Sequence, residues 1–291
     1  MRIDSHHHLW NLKEVFYPWL MEKGEKRFFG DPTPIQQNYL LNDYLKSARE
    51  SSIQSSVHIQ VGAYDGYQEA LWVQAIADTN PNWPLVQVAF CDLASEDVEF
   101  QLTRLLQLST VVGIRQIVGR SHEEDRQSGT NALIANPKFK EGMALVEKMG
   151  FSFDLQITPH LFGIVSEFFA AFPKLKIALC HAGSPFRYEG PDFEKWRQGI
   201  NLFASLPVAH CKISGLPMFF HQPQTQAYAP IIETCLSAFD VERCMFGSNF
   251  PVDSLYTTYT ELVNCYELCV TSEFHDVVFG QTARNFYFIN R

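Results

Sequence analysis

Nowhere do the 291 residues string together the roughly 18 to 20 apolar residues of a membrane-spanning helix, which excludes a helical membrane protein. Positive charge is also scarce. Against 32 Asp and Glu stand only 23 Lys and Arg, a formal charge of −9, so no basic stripe exists to neutralise phosphates and a nucleic-acid partner is excluded. The seven cysteines are odd in number, scattered and without a C-x-x-C pair, which points to the reduced thiols of a cytoplasmic protein rather than a disulfide framework. Cys265 and Cys269, four apart, share a helical face and read as buried rather than reactive. A Gly-x-Ser-x-Gly elbow is missing, which argues against a serine nucleophile. Linkers, low-complexity tracts and short repeats are missing too, so one domain over residues 1–291 is expected. The first strand is expected to start almost at Met1, leaving no room for a signal peptide.

What is present is a core and an alternation. Apolar residues make up 46% of the chain, enough for a sizeable core and too many for wholesale disorder. Strand-like runs recur between helix-length segments. Arg2 to His8 is the first, followed by an aromatic loop through Trp10, Phe16, Tyr17, Pro18 and Trp19, then Phe28 and Phe29, and a helical pattern from Asn42 to Glu50. Ser55 to Val61 precedes a helix from Tyr67 to Asp78, and Leu85 to Cys91 one from Glu96 to Leu108. Val111 to Val118 leads through a polar loop, Ser121 to Thr130, to a helix at Lys138 to Met149. Phe151 to Ile157 is followed by a helix from His160 to Phe172. Leu175 to His181, Val208 to Ser214 and Arg243 to Asn249 complete the set, each with its own helix-length stretch. Eight such units predict an α/β fold, a closed (β/α)8 barrel. The rival, a doubly wound open sheet, would want a Gly-rich turn after the first strand, where this chain has histidines.

Barrel active sites lie at the C-terminal ends of the strands, so polar residues there are the candidates. On the first strand His6 and His8 share one face and His7 takes the other. The later strands contribute His58 and Gln60, Arg115 and Gln116, Asp154 and Gln156, His181, Lys212 and Ser214, and Asn249. Each has a structural alternative: His181 as a satisfied core histidine, Arg115 paired with Asp154 inside the barrel, Lys212 snorkelling to the mouth. Together they are too polar for strand ends that merely pack.

Ile3-Asp4-Ser5-His6-His7-His8-Leu9-Trp10, Gly113-Ile114-Arg115, Leu179-Cys180-His181-Ala182-Gly183-Ser184-Pro185, Lys212-Ile213-Ser214-Gly215-Leu216 and Met245-Phe246-Gly247-Ser248-Asn249-Phe250-Pro251-Val252 resemble, in order and strand position, the amidohydrolase-related family of the amidohydrolase superfamily. Within it the closest likeness is to the sugar-lactone and pyrone-dicarboxylate lactonases. The resemblance implies a barrel hydrolase of carbohydrate metabolism that opens a cyclic ester. Carried over by position, His6, His8, His181 and Asn249 are the catalytic set, and His6, His8 and His181 the ligands of one divalent metal, zinc, if any metal is required. Two residues depart from the pattern. Asn249 stands where the superfamily has an aspartate base, and Arg115-Gln116 offer no bridging lysine, so no binuclear centre is expected.

An amide cannot take a proton from water, but it can orient one or donate to an oxyanion. Water activation would then fall to a histidine, a metal-bound hydroxide or Asp253, a residue that also suits a helix cap. The expected chemistry is direct attack of water on a lactone or similar carboxylated ring. Arg115 and Lys212 would hold a carboxylate or hydroxyl, Gln60 and Gln156 would read hydroxyls, and Trp10 would stack on the ring. The alternatives are a metal-dependent decarboxylase of the same superfamily and a non-catalytic sugar-acid binding barrel. The number of subunits is left open, a homo-oligomer included.

Overall fold

Eight short parallel strands stand edge to edge in chain order: β1 (Arg2–His7), β2 (Ile53–Ile59), β3 (Leu85–Ala89), β4 (Val111–Ile114), β5 (Ser152–Leu155), β6 (Ile177–Leu179), β7 (Ala209–Ile213) and β8 (Cys244–Phe246). The computed structural model describes residues 1–288, side chains at 128, 130 and 131 excepted. Consecutive parallel order requires a crossover after each strand, and helices supply it, among them Gly66–Thr79, Pro137–Met149, Gly190–Ala204 and Thr225–Phe239. Their starts are written locally. Asp65 accepts from the backbone N–H of Tyr67 and Gln68, and Thr258 and Glu261 form a reciprocal capping box ahead of Tyr259–Cys269. The architecture is the expected (β/α)8 barrel, not the open sheet.

The period of two along each strand divides the core. Leu85, Ile177, Leu179, Cys244 and Phe246 face outward into one large cluster with the helices. Val86, Val88, Ala178 and Met245 face the other way, into a second cluster joined by Phe286 and Tyr287 of the helix Thr282–Tyr287.

The ring is drawn shut between β8 and β1 by residues past the end of β8. The N–H of Asn249 donates to His6 O and that of His8 to Phe250 O, both at 2.7 Å. Below them Ser5 Oγ donates to Phe246 O at 2.6 Å. Several strands stop earlier than their apolar runs: β4 ends at Ile114 rather than Val118, and β8 at Phe246 rather than Asn249. The released residues turn toward the barrel mouth. The polar stretch after β4 also contains a helix, His122–Ser128, capped where Ser121 accepts from the Glu124 N–H.

Candidate active site

Three imidazoles meet at the C-terminal end of the barrel. The His6 and His8 rings lie 5.1 Å apart, and those of His6 and His181 4.5 Å. His181 follows β6 in the left-handed region, φ +54°, as Asn249 does after β8, φ +56°. Non-glycine residues adopt that conformation at a cost, and here it turns both side chains into the mouth. All three histidines are buried, and burial is the first reason that their pKa values fall. His8 is lowered to about 3, with the Arg115 guanidinium as the second cause. The rings are therefore neutral at pH 7.

Two are anchored from behind. His8 Nδ1 is 2.8 Å from Ile59 O, and His181 Nδ1 is 3.0 Å from Ser214 Oγ. Neither nitrogen of His6 has a hydrogen-bond partner. The Asn249 amide bridges His8 and Asp253, its carbonyl end 3.3 Å from His8 Nε2 and its amino end 2.9 Å from Asp253 Oδ1. Asp253 is fully buried and, instead of capping the next helix, starts the short turn Asp253–Leu255. Burial raises its pKa well above the ordinary carboxyl value. Asp4 ties this turn to β1. Its Oδ1 accepts from the N–H of Ser248 at 2.8 Å and of His6 at 3.1 Å. Its Oδ2 accepts from Ser248 Oγ, Tyr259 Oη and Tyr44 Oη at 2.6, 2.9 and 3.0 Å.

Above the imidazoles opens a cavity of about 260 Å³. His8, His181, Asn249, Arg115, Gln60, Gln156 and Trp10 line it. Arg115 Nη1 donates to Gln60 O at 3.2 Å and Nη2 to Gln156 Oε1, so the fork is set before any ligand arrives. His6 lies behind the lining, against the rings of His8 and His181.

Lys212 is placed differently from the sequence expectation. It does not reach the mouth but is fully buried below it, donating to Asp154 Oδ2 at 2.5 Å and Ser5 O at 2.7 Å. The interior partner of Asp154 is thus Lys212 and not Arg115, with Tyr287 Oη donating to its other oxygen at 2.8 Å. A charge this deep is held by its counter-ion, and Lys212 is not among the residues that line the cavity. His58 also faces away, accepting the Leu9 N–H at 3.1 Å. Residues missed in the sequence complete the wall: Arg27, Arg120, Glu124 and Met218. Arg120 follows β4 next to the polar stretch and was legible as a strand-end loop residue. Arg27 arrives from a long loop with no periodic signal. Trp19, Phe28 and Phe29 of the same loop form the aromatic wall that the first loop's composition foretold.

The donors have the chemistry of a metal site, since a ligating histidine commonly gives its other N–H to a carbonyl, as His8 Nδ1 can to Ile59 O. Their placement does not complete one. Among the described residues no group of three or more His, Cys, Asp or Glu side chains stands close enough to hold an ion. Among the same residues no helix is long and apolar enough to cross a membrane.

A family model described as Amidohydrolase matches residues 3–289. Protein y4mH of Sinorhizobium fredii is 33% identical over 91% of this chain and 90% of its own. An L-fucono-1,5-lactonase of Burkholderia multivorans is 25% identical over 99% and 96%. A zinc-bound crystal structure of an amidohydrolase from Burkholderia multivorans superposes with a TM-score of 0.83 at 21% identity, covering 99% of both chains.

Proposed function

Because this chain belongs to the amidohydrolase family, we propose that it is a hydrolase that opens a small lactone by direct attack of water. The observation that carries this reading is the composition of the cavity. Neutral His8 and His181, the Asn249 amide and the Arg115 fork converge there, while no Ser, Thr, Cys or Lys side chain is among its lining. With no hydroxyl, thiol or amine nucleophile in the lining, water is the nucleophile this reading assigns.

His181, held through Nδ1 by Ser214, takes the proton of the attacking water on Nε2 as the new C–O bond forms. Arg115 and the Asn249 amide donate to the carbonyl oxygen as it gains negative charge. Collapse of the tetrahedral intermediate breaks the ring C–O bond. His181 returns its proton to the departing alkoxide, and a hydroxy acid leaves. The Trp10, Trp19, Phe28 and Phe29 wall suits the apolar face of a ring, and Gln60 and Gln156 suit its hydroxyls.

The test is acid release from a panel of sugar-acid and pyrone lactones, followed with a pH indicator before and after chelation and on restoring zinc. His181→Ala is expected to lower kcat/KM by roughly 10²- to 10⁴-fold, the span of a general base. Full activity in that variant would sink the assignment. Loss on chelation with recovery on zinc would move water activation to the metal. Carbon dioxide release from aromatic acids would redirect the reading to decarboxylation, and binding without turnover to a sugar-acid binding barrel.

A further inference from the structure

Charge is spread unevenly around the cavity. Its lining holds three guanidiniums, those of Arg27, Arg115 and Arg120, against the single carboxylate of Glu124. The chain as a whole leans the other way, with 32 Asp and Glu to 23 Lys and Arg. Like charges that share one concave, partly dry space repel one another, and their cost calls for an answering negative charge.

Glu124 does not supply it for all three. Its Oε1 accepts the backbone N–H of Phe28 at 3.1 Å, and its Oε2 lies 3.8 Å from Arg27 Nη2. That ion pair is long, and Arg27 Nε is buried without a hydrogen-bond partner. Arg115 gives Nη1 to Gln60 O and Nη2 to Gln156 Oε1, both uncharged, and its own Nε is buried and unpartnered. Arg120 is the least matched. Its backbone N–H donates to Asp125 Oδ1 at 2.8 Å, but among the described residues its guanidinium makes no hydrogen bond or ion pair. The charge that bears on it most is the like charge of Arg27, ahead of the attraction of Glu124 and Asp125.

The three also stand at different depths. Arg115 is buried and bears on His8 at the floor, whereas Arg120, five residues further along the chain, and Arg27 of the first loop are partly exposed. Lys212, expected from the sequence to share a carboxylate with Arg115, is buried below the cavity. We propose that Arg120 and Arg27 form a clamp for a carboxylate carried on the ring of the ligand, and that this clamp selects anionic rings over neutral ones. The two oxygens of a carboxylate match the paired N–H groups of a guanidinium, and Glu124 beside Arg27 is a carboxylate already seated on this wall. Trp19 and Phe28 line the cavity with them, so the ring has an apolar surface next to the clamp. The choice of lactone that follows rests on the lactonase reading. The clamp itself does not.

Calorimetric titration with two unreactive probes separates charge from shape. Tetrahydropyran-2-carboxylate and the neutral tetrahydropyran-2-carboxamide are nearly the same size, and neither is a lactone. The carboxylate is expected to bind roughly 10- to 100-fold more tightly, as for hydrogen bonds to a charged group, with an advantage that shrinks as salt is added. Arg120→Gln is expected to bring the two probes close to parity, and Arg27→Gln to remove part of the advantage. Arg120→Lys, which keeps the charge and loses the fork, is expected to retain part of it, so a folding defect and a lost charge are told apart. Equal affinity for the two probes, binding of neither, or a full advantage kept in both glutamine variants overturns the proposal. Inorganic phosphate that binds more tightly than the ring carboxylate would make this wall a general oxyanion site and overturn it too. Where a carboxylated lactone is turned over, Arg120→Gln is expected to raise KM roughly 10- to 100-fold with kcat little changed, since the clamp touches no reacting atom. A fall in kcat at constant KM would place Arg120 in the chemistry and end the assignment. Failure of every lactone would count against the hydrolase reading, with the calorimetry left to decide the clamp.

Discussion

His6 is fully buried, and both of its ring nitrogens lack hydrogen-bond partners. Leaving a buried polar group unmade costs about 1–3 kcal/mol, and a chain selected only for stability would not keep a histidine there. Its place against His8 and His181 is the compensation. His6→Leu is therefore expected to raise the melting temperature while abolishing turnover, a pairing that calorimetry and an activity assay on one preparation would show. A fall in both would mean that the imidazole is bonded in solution and holds the floor together. Gly215 makes a second case. It sits at φ +68°, and a Cβ there would come 2.6 Å from His181 Nδ1. Gly215→Ala is expected to push His181 off Ser214 and cut kcat/KM by at least about 10²-fold, the contribution of a general base. A variant of unchanged activity would show that the His181–Ser214 contact is dispensable.

At the scale of elements, the site is built largely from residues at and just past the strand ends, and this sets how much the sequence could say. Apolar runs announce strands, and all eight were legible. Their ends were not, because Arg115, His181 and Asn249 continue the run in sequence after the ladder has stopped. The His-x-His pair, His181 and Asn249 stood out by position among the polar strand ends, and the family resemblance supplied the roles expected of them. The partner of Asp154 was misplaced because alternation gives the face of a residue, not its depth, and Lys212 lies below the layer it was assigned to. Asp4 escaped notice for a related reason. It reads as one polar residue before the histidines, yet it receives five hydrogen bonds from Ser248, His6, Tyr44 and Tyr259, joining β1 to the turn after β8. Asp4→Ala would strand those donors in the interior, at a cost of at least about 3 kcal/mol. Hydrogen exchange is expected to accelerate most at the His6, His8 and Asn249 amides, which span that seam, and less along β3 and β4. Uniform acceleration would make Asp4 a general core residue instead.

For the whole molecule, burying histidines uncharged makes stability depend on acidity. His6, His7, His8, His181 and His210 all have pKa values lowered by burial, His8 to about 3 and His210 to about 4. An unfolded histidine titrates near 6.5, so between that value and the folded one the unfolded chain binds more protons. Stability is fully present above pH 6.5 and drains away as pH falls through it. Asp4 and Asp253 act in the opposite sense. With folded pKa values raised, they hold protons that the unfolded chain gives up above about pH 4, and so take stability away as pH rises. The histidines outnumber them, so the net expectation is acid sensitivity between pH 6.5 and 5. His7 isolates the effect from the chemistry, since it faces away from the cavity, stacks on Tyr44 with ring centres 4.0 Å apart, and leaves both nitrogens without partners. His7→Phe keeps the stack and removes one proton site. Denaturant unfolding at a series of pH values is expected to show a slope shallower by roughly 1.4 kcal/mol per pH unit, one proton's worth. An unchanged slope would mean that His7 is charged in the folded protein, and that the neutral-imidazole account of this barrel needs revision.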